Sequence, residues 1–315
     1  MTTAATTPYR EHPVVFRAGK EDLYGILVEP HASRDGVAVV LSTGGGRIPM
    51  THRNRMWTRL ARRIAVDGVP VLRFDWHGAG ESTGRVREFH SDYPFVDDLV
   101  AAVRCLEAHR QVSHLILVGT CLGARAILSA GEHLPQMSGA VLLSTPLRGR
   151  RLEEAAANNF ADTLTVGGYL RWAARSRVMK RLLDPSWRLR YWRIAKVKME
   201  RIASVPPLWG RRRAELGSPA WLSRKFLDPV RSLPQRGVRL LMLYGSDDEY
   251  YPDFKQALQY ELGEIVRTAG DRLEVEVISG TLHGFTTLEM QQAAIARTCE
   301  WIRAASQRLG QHGAA

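Results

Sequence analysis

Cysteine is scarce in this chain of 315 residues: Cys105, Cys121 and Cys299 are an odd number at unrelated spacings. That excludes a disulfide framework and any Cys/His metal pattern, and no metal or other cofactor is implied. Long apolar runs are also missing, so no stretch approaches the ~20 residues that a membrane-spanning helix needs. Residues 1–13 lack the apolar segment of a secretory signal. A cytoplasmic protein without a transmembrane segment is the expectation. Internal repeats and low-complexity tracts are absent, which argues against a repeat array.

Acidic residues are outnumbered, 32 against 44 Lys and Arg, for a net charge of +12. The imbalance is local. Residues 148–236 hold 21 basic and 7 acidic side chains, a balance of +14, and the remainder carries −2. Five of the eight tryptophans lie in the same segment, with Pro185, Pro206, Pro207, Pro219, Pro229 and Pro234.

Outside that segment the chain alternates. Val14–Phe16 and Leu23–Val28 read as an antiparallel pair turning through residues 19–22. Val37–Leu41, Val69–Phe74, Leu115–Thr120, Ala140–Leu143, Val238–Tyr244 and Leu273–Ile278 read as further short strands. Between them, His52–Val66, Phe95–His109, the stretch after Cys121, Pro252–Thr268 and Leu288–Leu309 have helical periodicity. Short apolar strands alternating with amphipathic helices imply a mostly parallel, doubly wound α/β sheet covered on both faces. Residues 1–147 and 237–315 form this core; 148–236 reads as an inserted cap (lid) domain laid over the site.

Function-bearing residues in such sheets collect at the carboxyl ends of the strands. Those ends are Gly44–Gly46, Asp75–Ser82, Cys121, Asp247/Asp248 and His283. Cys121 is the centre of Gly119-Thr120-Cys121-Leu122-Gly123, which follows an apolar strand and opens a helix, the setting of a nucleophile elbow. Strand and helix pass closely there, so the flanking positions are glycines. A thiol at a helix N-terminus near a histidine is drawn toward thiolate. Cys105 and Cys299 fall on apolar helix faces and read as core.

With these residues in place, the chain resembles an α/β-hydrolase with a Cys nucleophile. Phe74-Asp75-Trp76-His77-Gly78-Ala79-Gly80-Glu81-Ser82 is similar to the family's Asp-x-Arg-Gly-x-Gly-x-Ser loop, with His77 replacing Arg. Gly245-Ser246-Asp247-Asp248-Glu249-Tyr250-Tyr251-Pro252 matches its Gly-x-x-Asp-x-x-x-Pro acid loop, and Gly280-Thr281-Leu282-His283-Gly284-Phe285 its His-Gly-Phe end. Within the superfamily it looks closest to the exosortase-system-associated and serine-aminopeptidase-like hydrolases. The resemblance implies a triad of Cys121, His283 and Asp248, the family's spacing selecting Asp248 over its neighbours Asp247 and Glu249. It also implies an oxyanion hole from the backbone of Leu122 and of Gly45 or Gly46, with Asp75, Gly78 and Gly80 shaping the loop beside the site.

An acyl-Cys intermediate is a thioester, readily intercepted by another nucleophile. Thioesterase or acyltransferase action on an acyl thioester or ester is therefore the expected function. A carboxylesterase, lactonase or peptidase is the alternative within enzymes, and a non-catalytic scaffold binding an acidic partner is the alternative outside them. The basic cap, including Arg211, Arg212 and Arg213, is expected to dock an acidic acyl carrier protein or a coenzyme A thioester. No nucleic-acid recognition motif accompanies the charge, so nucleic acid is not an expected partner.

Overall fold

The computed structural model describes residues 7–33, 36–44, 48–86, 89–149 and 218–312. These residues form an eight-stranded sheet in the order β1-β2-β4-β3-β5-β6-β7-β8. Its strands are β1 (Tyr9–Ala18), β2 (Glu21–Pro30), β3 (Val37–Ser42), β4 (Val71–Phe74), β5 (His114–Thr120), β6 (Met137–Leu143), β7 (Arg239–Gly245) and β8 (Leu273–Ile278). β1, β2 and β4 pair antiparallel, and every pair from β4 through β3 to β8 is parallel. The apolar runs of the central strands follow from this placement, because helices on both sides leave no face for water.

The described helices are α1 (Met56–Val66), α2 (Val96–His109), α3 (Leu122–Ala130), α4 (Arg224–Gln235), α5 (Tyr251–Ala257), α6 (Glu261–Ala269) and α7 (Leu288–His312). One core layer joins α1 and α7 to residues such as Val39, Ile116 and Val141. The other joins α2, α3, α4, α5 and α6 to the alternate positions Val40, Leu117 and Ala140. The two-residue period of each strand thus feeds both cores.

Two elements differ from the sequence reading. The expected helix over 252–268 is two, because Tyr260 is extended (φ −121°, ψ −151°) and re-aims the chain into α6. Residues 224–235, grouped with the inserted segment by composition, form α4 in the core layer. Phe226, Leu227, Val230 and Leu233 make an apolar stripe at helical spacing that is fully buried. Pro229 and Pro234 lie on it and hid the helix from a reading that treats proline as a breaker.

Both stems of the inserted segment meet at the carboxyl end of β6. The Ser223 N–H donates to the Leu147 carbonyl at 3.0 Å, and the Arg148 guanidinium lies 4.4 Å over the Trp221 ring. Arg148 also makes a two-pronged ion pair with Asp253 of α5, at 2.6 and 2.9 Å. Residues 150–217, which carry most of the expected cap and Arg211, Arg212 and Arg213, lie outside the described residues.

Candidate active site

Cys121 stands between β5 and α3 with φ 51° and ψ −117°, a backbone conformation that side chains other than glycine adopt only at a cost. The surroundings over-determine it. The Cys121 N–H donates to the Leu143 carbonyl of β6 at 2.9 Å, and its carbonyl accepts from Arg125 of α3 at 3.2 Å. A Cβ on Gly123 would fall 2.1 Å from the Thr43 carbonyl oxygen, so only glycine lets α3 start this close to β3. The thiol is therefore lifted above the sheet, partly buried, with the first residues of α3 and their backbone N–H groups, Leu122 among them, beside it.

The ends of β5, β7 and β8 come together around Cys121, Glu249, Tyr250 and His283. The His283 imidazole sits beside Glu249, near enough to Cys121 for both groups to govern its titration. Its Nδ1 lies 3.0 Å from a Glu249 carboxylate oxygen. The sequence reading placed Asp248 against the ring; in the structure the carboxylate at Nδ1 is that of Glu249. Asp248 is 2% exposed, and its oxygens are already engaged. One accepts from the backbone N–H of His283. The other accepts from the Ser144 hydroxyl and, at 2.7 Å, from the Gly245 N–H. Asp248 thus ties the β7 loop to the histidine loop through backbone, and Glu249, one residue on, meets the imidazole. The Asp247 side chain is exposed and accepts from the Ser246 hydroxyl at 3.2 Å.

Burial alone pushes the His283 pKa down. Hydrogen bonds to Cys121 and Glu249, and their negative charges, outweigh it and hold the value up at about 10. A protonated imidazole is the charge state this favours. A pKa raised above the unfolded value stabilises the fold fully below about pH 6.5. That contribution is lost as pH rises through about 10. Turnover that needs the imidazolium as proton donor should fall over the same alkaline interval, and a pH–rate profile read beside thermal unfolding at each pH checks both.

The remaining loops brace this centre. Asp75 is buried, and its carboxylate accepts from the Met50 and Glu81 N–H groups, joining the loop after β3 to the loop after β4. His77, the substitute for the family's arginine, places Nδ1 and its backbone N–H each 2.8 Å from Asp98 at the start of α2. Gly44 is the last described residue before the expected oxyanion loop, and a Cβ there would sit 3.6 Å from that of Cys121. Gly45 and Gly46 lie outside the described residues.

Three contributors were missed by the sequence reading. His52 (φ 58°, ψ 179°) packs its ring 5.2 Å from Phe285, and burial, then the charges of Arg53 and His283, push its pKa down to about 4. Arg125 is wholly buried behind the elbow. Its Nε and Nη2 donate to the Ser91 carbonyl, the Asp92 carboxylate and the Ser223 hydroxyl, while its buried Nη1 has no hydrogen-bond partner among the described residues. Tyr250 directs its hydroxyl at the Cys121 sulfur, 3.5 Å away. The signal for Tyr250 was its place beside the acid loop; for Arg125 it was a charge on an otherwise apolar helix face.

A sequence model of the family described as serine aminopeptidase, S33, matches residues 38–289. Among curated proteins no sequence match is found. Solved structures with the same fold include a proline iminopeptidase of Mycobacterium smegmatis, 14% identical, with a TM-score of 0.57 over 95% of this chain and 100% of that one. The esterase Pf2001 of Pyrococcus furiosus is 13% identical, with a TM-score of 0.58 over 94% and 93%. A putative hydrolase of Agrobacterium vitis is 18% identical, with a TM-score of 0.51 over 95% and 99%. At such identities the likeness is one of fold, and that fold is the α/β-hydrolase fold. Among the described residues no helix is long and apolar enough to cross a membrane.

Proposed function

The chain belongs to the serine aminopeptidase (S33) family of α/β-hydrolases, and on that premise we propose that it is an acyl-transfer enzyme working through Cys121. Cys121 attacks the carbonyl carbon of a thioester or ester as thiolate. His283, as imidazolium, protonates the leaving thiol or alcohol, and an acyl-Cys thioester remains. The now neutral imidazole takes a proton from water, an alcohol or an amine, which attacks the acyl carbon and releases Cys121. Glu249 orients the ring and balances its charge; Asp248 holds the two loops in register. The Leu122 N–H, with one from Gly45 or Gly46, serves the developing oxyanion.

One observation carries this reading: a thiol held in a strained elbow against an imidazole that a carboxylate anchors. Intact-mass measurement after exposure to a panel of acyl thioesters tests it. An acyl adduct mapped to Cys121 is expected. A chain that stays unmodified and turns over nothing would instead be a scaffold.

The family's description, with an iminopeptidase and an esterase among the similar structures, favours a second reading. In it the same thiol opens esters, lactones or an N-terminal peptide bond. Aryl esters and aminoacyl anilides in the same panel separate the two by rate.

Residues 150–217 would form a basic cap that receives an acidic acyl donor, either carrier-bound or a coenzyme A thioester. The support is the balance of residues 150–217, 16 basic against 6 acidic side chains or +10, together with stems that leave and return at one point on the site's edge of the sheet. Attraction of this kind is screened as the Debye length falls to about 8 Å near physiological salt. Turnover of a carrier-bound acyl group should therefore weaken with salt through KM, while a small neutral thioester changes little. Neutralising Arg211, Arg212 and Arg213 together should mimic high salt. Equal salt response for the two donors removes the docking role.

A further inference from the structure

Tyr250 has no place in the triad, yet its hydroxyl is 3.5 Å from the Cys121 sulfur. The side chain is 7% exposed. Its ring meets the His283 imidazole edge to face at 4.9 Å. Glu249, which meets His283, also lies close enough to this hydroxyl for its charge to raise the phenol's pKa. One O–H therefore contacts the sulfur and has the Glu249 carboxylate nearby, and both belong to groups the mechanism needs charged.

The geometry points to Tyr250 as a further catalytic residue: its hydroxyl donates to the Cys121 thiolate in the resting enzyme and turns to Glu249 once the sulfur is acylated. This rests on the nucleophile reading above and adds a member to that site. Burial, then the charges of Cys121 and Glu249, hold the phenol neutral well beyond its ordinary range, so it keeps its proton throughout. No proton is transferred by Tyr250. Cys121 forms the S–C bond, the leaving group departs with the proton of His283, and the Tyr250 hydrogen bond merely changes acceptor.

A sulfur in a thioester is uncharged and a poor acceptor, whereas the Glu249 carboxylate remains charged, so the preference for the second acceptor appears only after acylation. The exchange makes the resting thiolate more stable than it would be with His283 as its single donor. It also leaves Glu249 better satisfied during deacylation, when the neutral imidazole attracts it less.

Tyr250→Phe tests this, since it deletes the hydroxyl and keeps the ring against His283. Iodoacetamide modification of Cys121, followed by peptide mass across pH, gives the fraction of reactive thiolate. A lost hydrogen bond to the charged form should move the acid limb of that profile up by about one pH unit. Modification would then be roughly tenfold slower below the limb, with the deficit narrowing above it. kcat/KM for a thioester should show the same pH-dependent deficit. An unmoved limb, or a uniform loss at every pH, overturns the assignment to Tyr250 while leaving Cys121 as nucleophile. Wild-type protein in which Cys121 resists modification, with Cys121→Ala fully active, would sink the nucleophile reading itself and this inference with it.

Discussion

Cys121→Ala is expected to lower turnover of any acyl substrate by about 10^4- to 10^6-fold, leaving only what binding and the oxyanion donors contribute. The size follows from the site acting as a unit: without the sulfur no acyl-enzyme forms, so His283 has no leaving group to protonate and Glu249 orients a ring with no task. Cys105 and Cys299 are built-in controls. Both are buried, and burial pushes their thiols up, Cys299 to about 12, so neither competes as a nucleophile near neutral pH. Alanine also fits the space of the thiol, and the backbone at residue 121 is held by Leu143 and Arg125 rather than by the side chain. Thermal unfolding should therefore be little changed. Steady-state kinetics beside a melting curve decides it: full activity in the variant would return Cys121 to a structural role, and inactivity with a collapsed melt would be settled by Cys121→Ser, which keeps the shape.

The sheet was legible because its strands are apolar on both faces and end in small residues, a pattern that physics imposes on any buried parallel strand. The elbow was legible for a related reason. Gly119 and Gly123 are required by how closely β5, β3 and α3 approach, and a Cβ on Gly119 would fall 2.7 Å from the Gly123 carbonyl carbon and 2.8 Å from the Ala124 nitrogen. Requirements of that kind leave marks in sequence. The identity of the acid left none. Asp247, Asp248 and Glu249 are consecutive, and Asp248 is engaged by the hydroxyl of Ser144, more than a hundred positions away, while Glu249 meets His283.

Arg125 and α4 were obscured by each other. A charged residue on a buried helix face makes sense only once Asp92 and Ser223 stand beside it. Ser223 in turn is placed by a helix that two prolines disguise. The arrangement matters for the site, because Arg125 sits one turn beyond Cys121 and joins the elbow helix to the loop at 89–93 and to one stem of the inserted segment. Removing one partner of so buried a pair typically costs about 3–5 kcal/mol. The elbow is thus braced from behind by a cation that composition alone would have assigned to the surface.

Glu249→Gln is expected to reduce turnover by about 10^2- to 10^4-fold, the range for a histidine that loses its orienting carboxylate and populates the wrong tautomer. The amide keeps the volume and part of the hydrogen bonding, so the melting temperature should hold. Glu249 supplies part of what raises the His283 pKa, and the alkaline limb near pH 10 should accordingly move down in this variant. Asp248→Asn should behave differently. Its carboxylate accepts from the Gly245 N–H, the Ser144 hydroxyl and the His283 N–H, and an amide nitrogen in place of one oxygen faces a donor it cannot accept from. Leaving such a buried group unmatched costs about 1–3 kcal/mol, read as a lower melting temperature with a smaller loss in kcat and an unmoved alkaline limb. Asp247→Asn, on an exposed side chain, should change neither. If Asp248→Asn instead gives the larger kcat loss and the shifted limb while Glu249→Gln is mild, the orienting acid is the one that the family spacing selects, and the imidazole turns toward it during turnover.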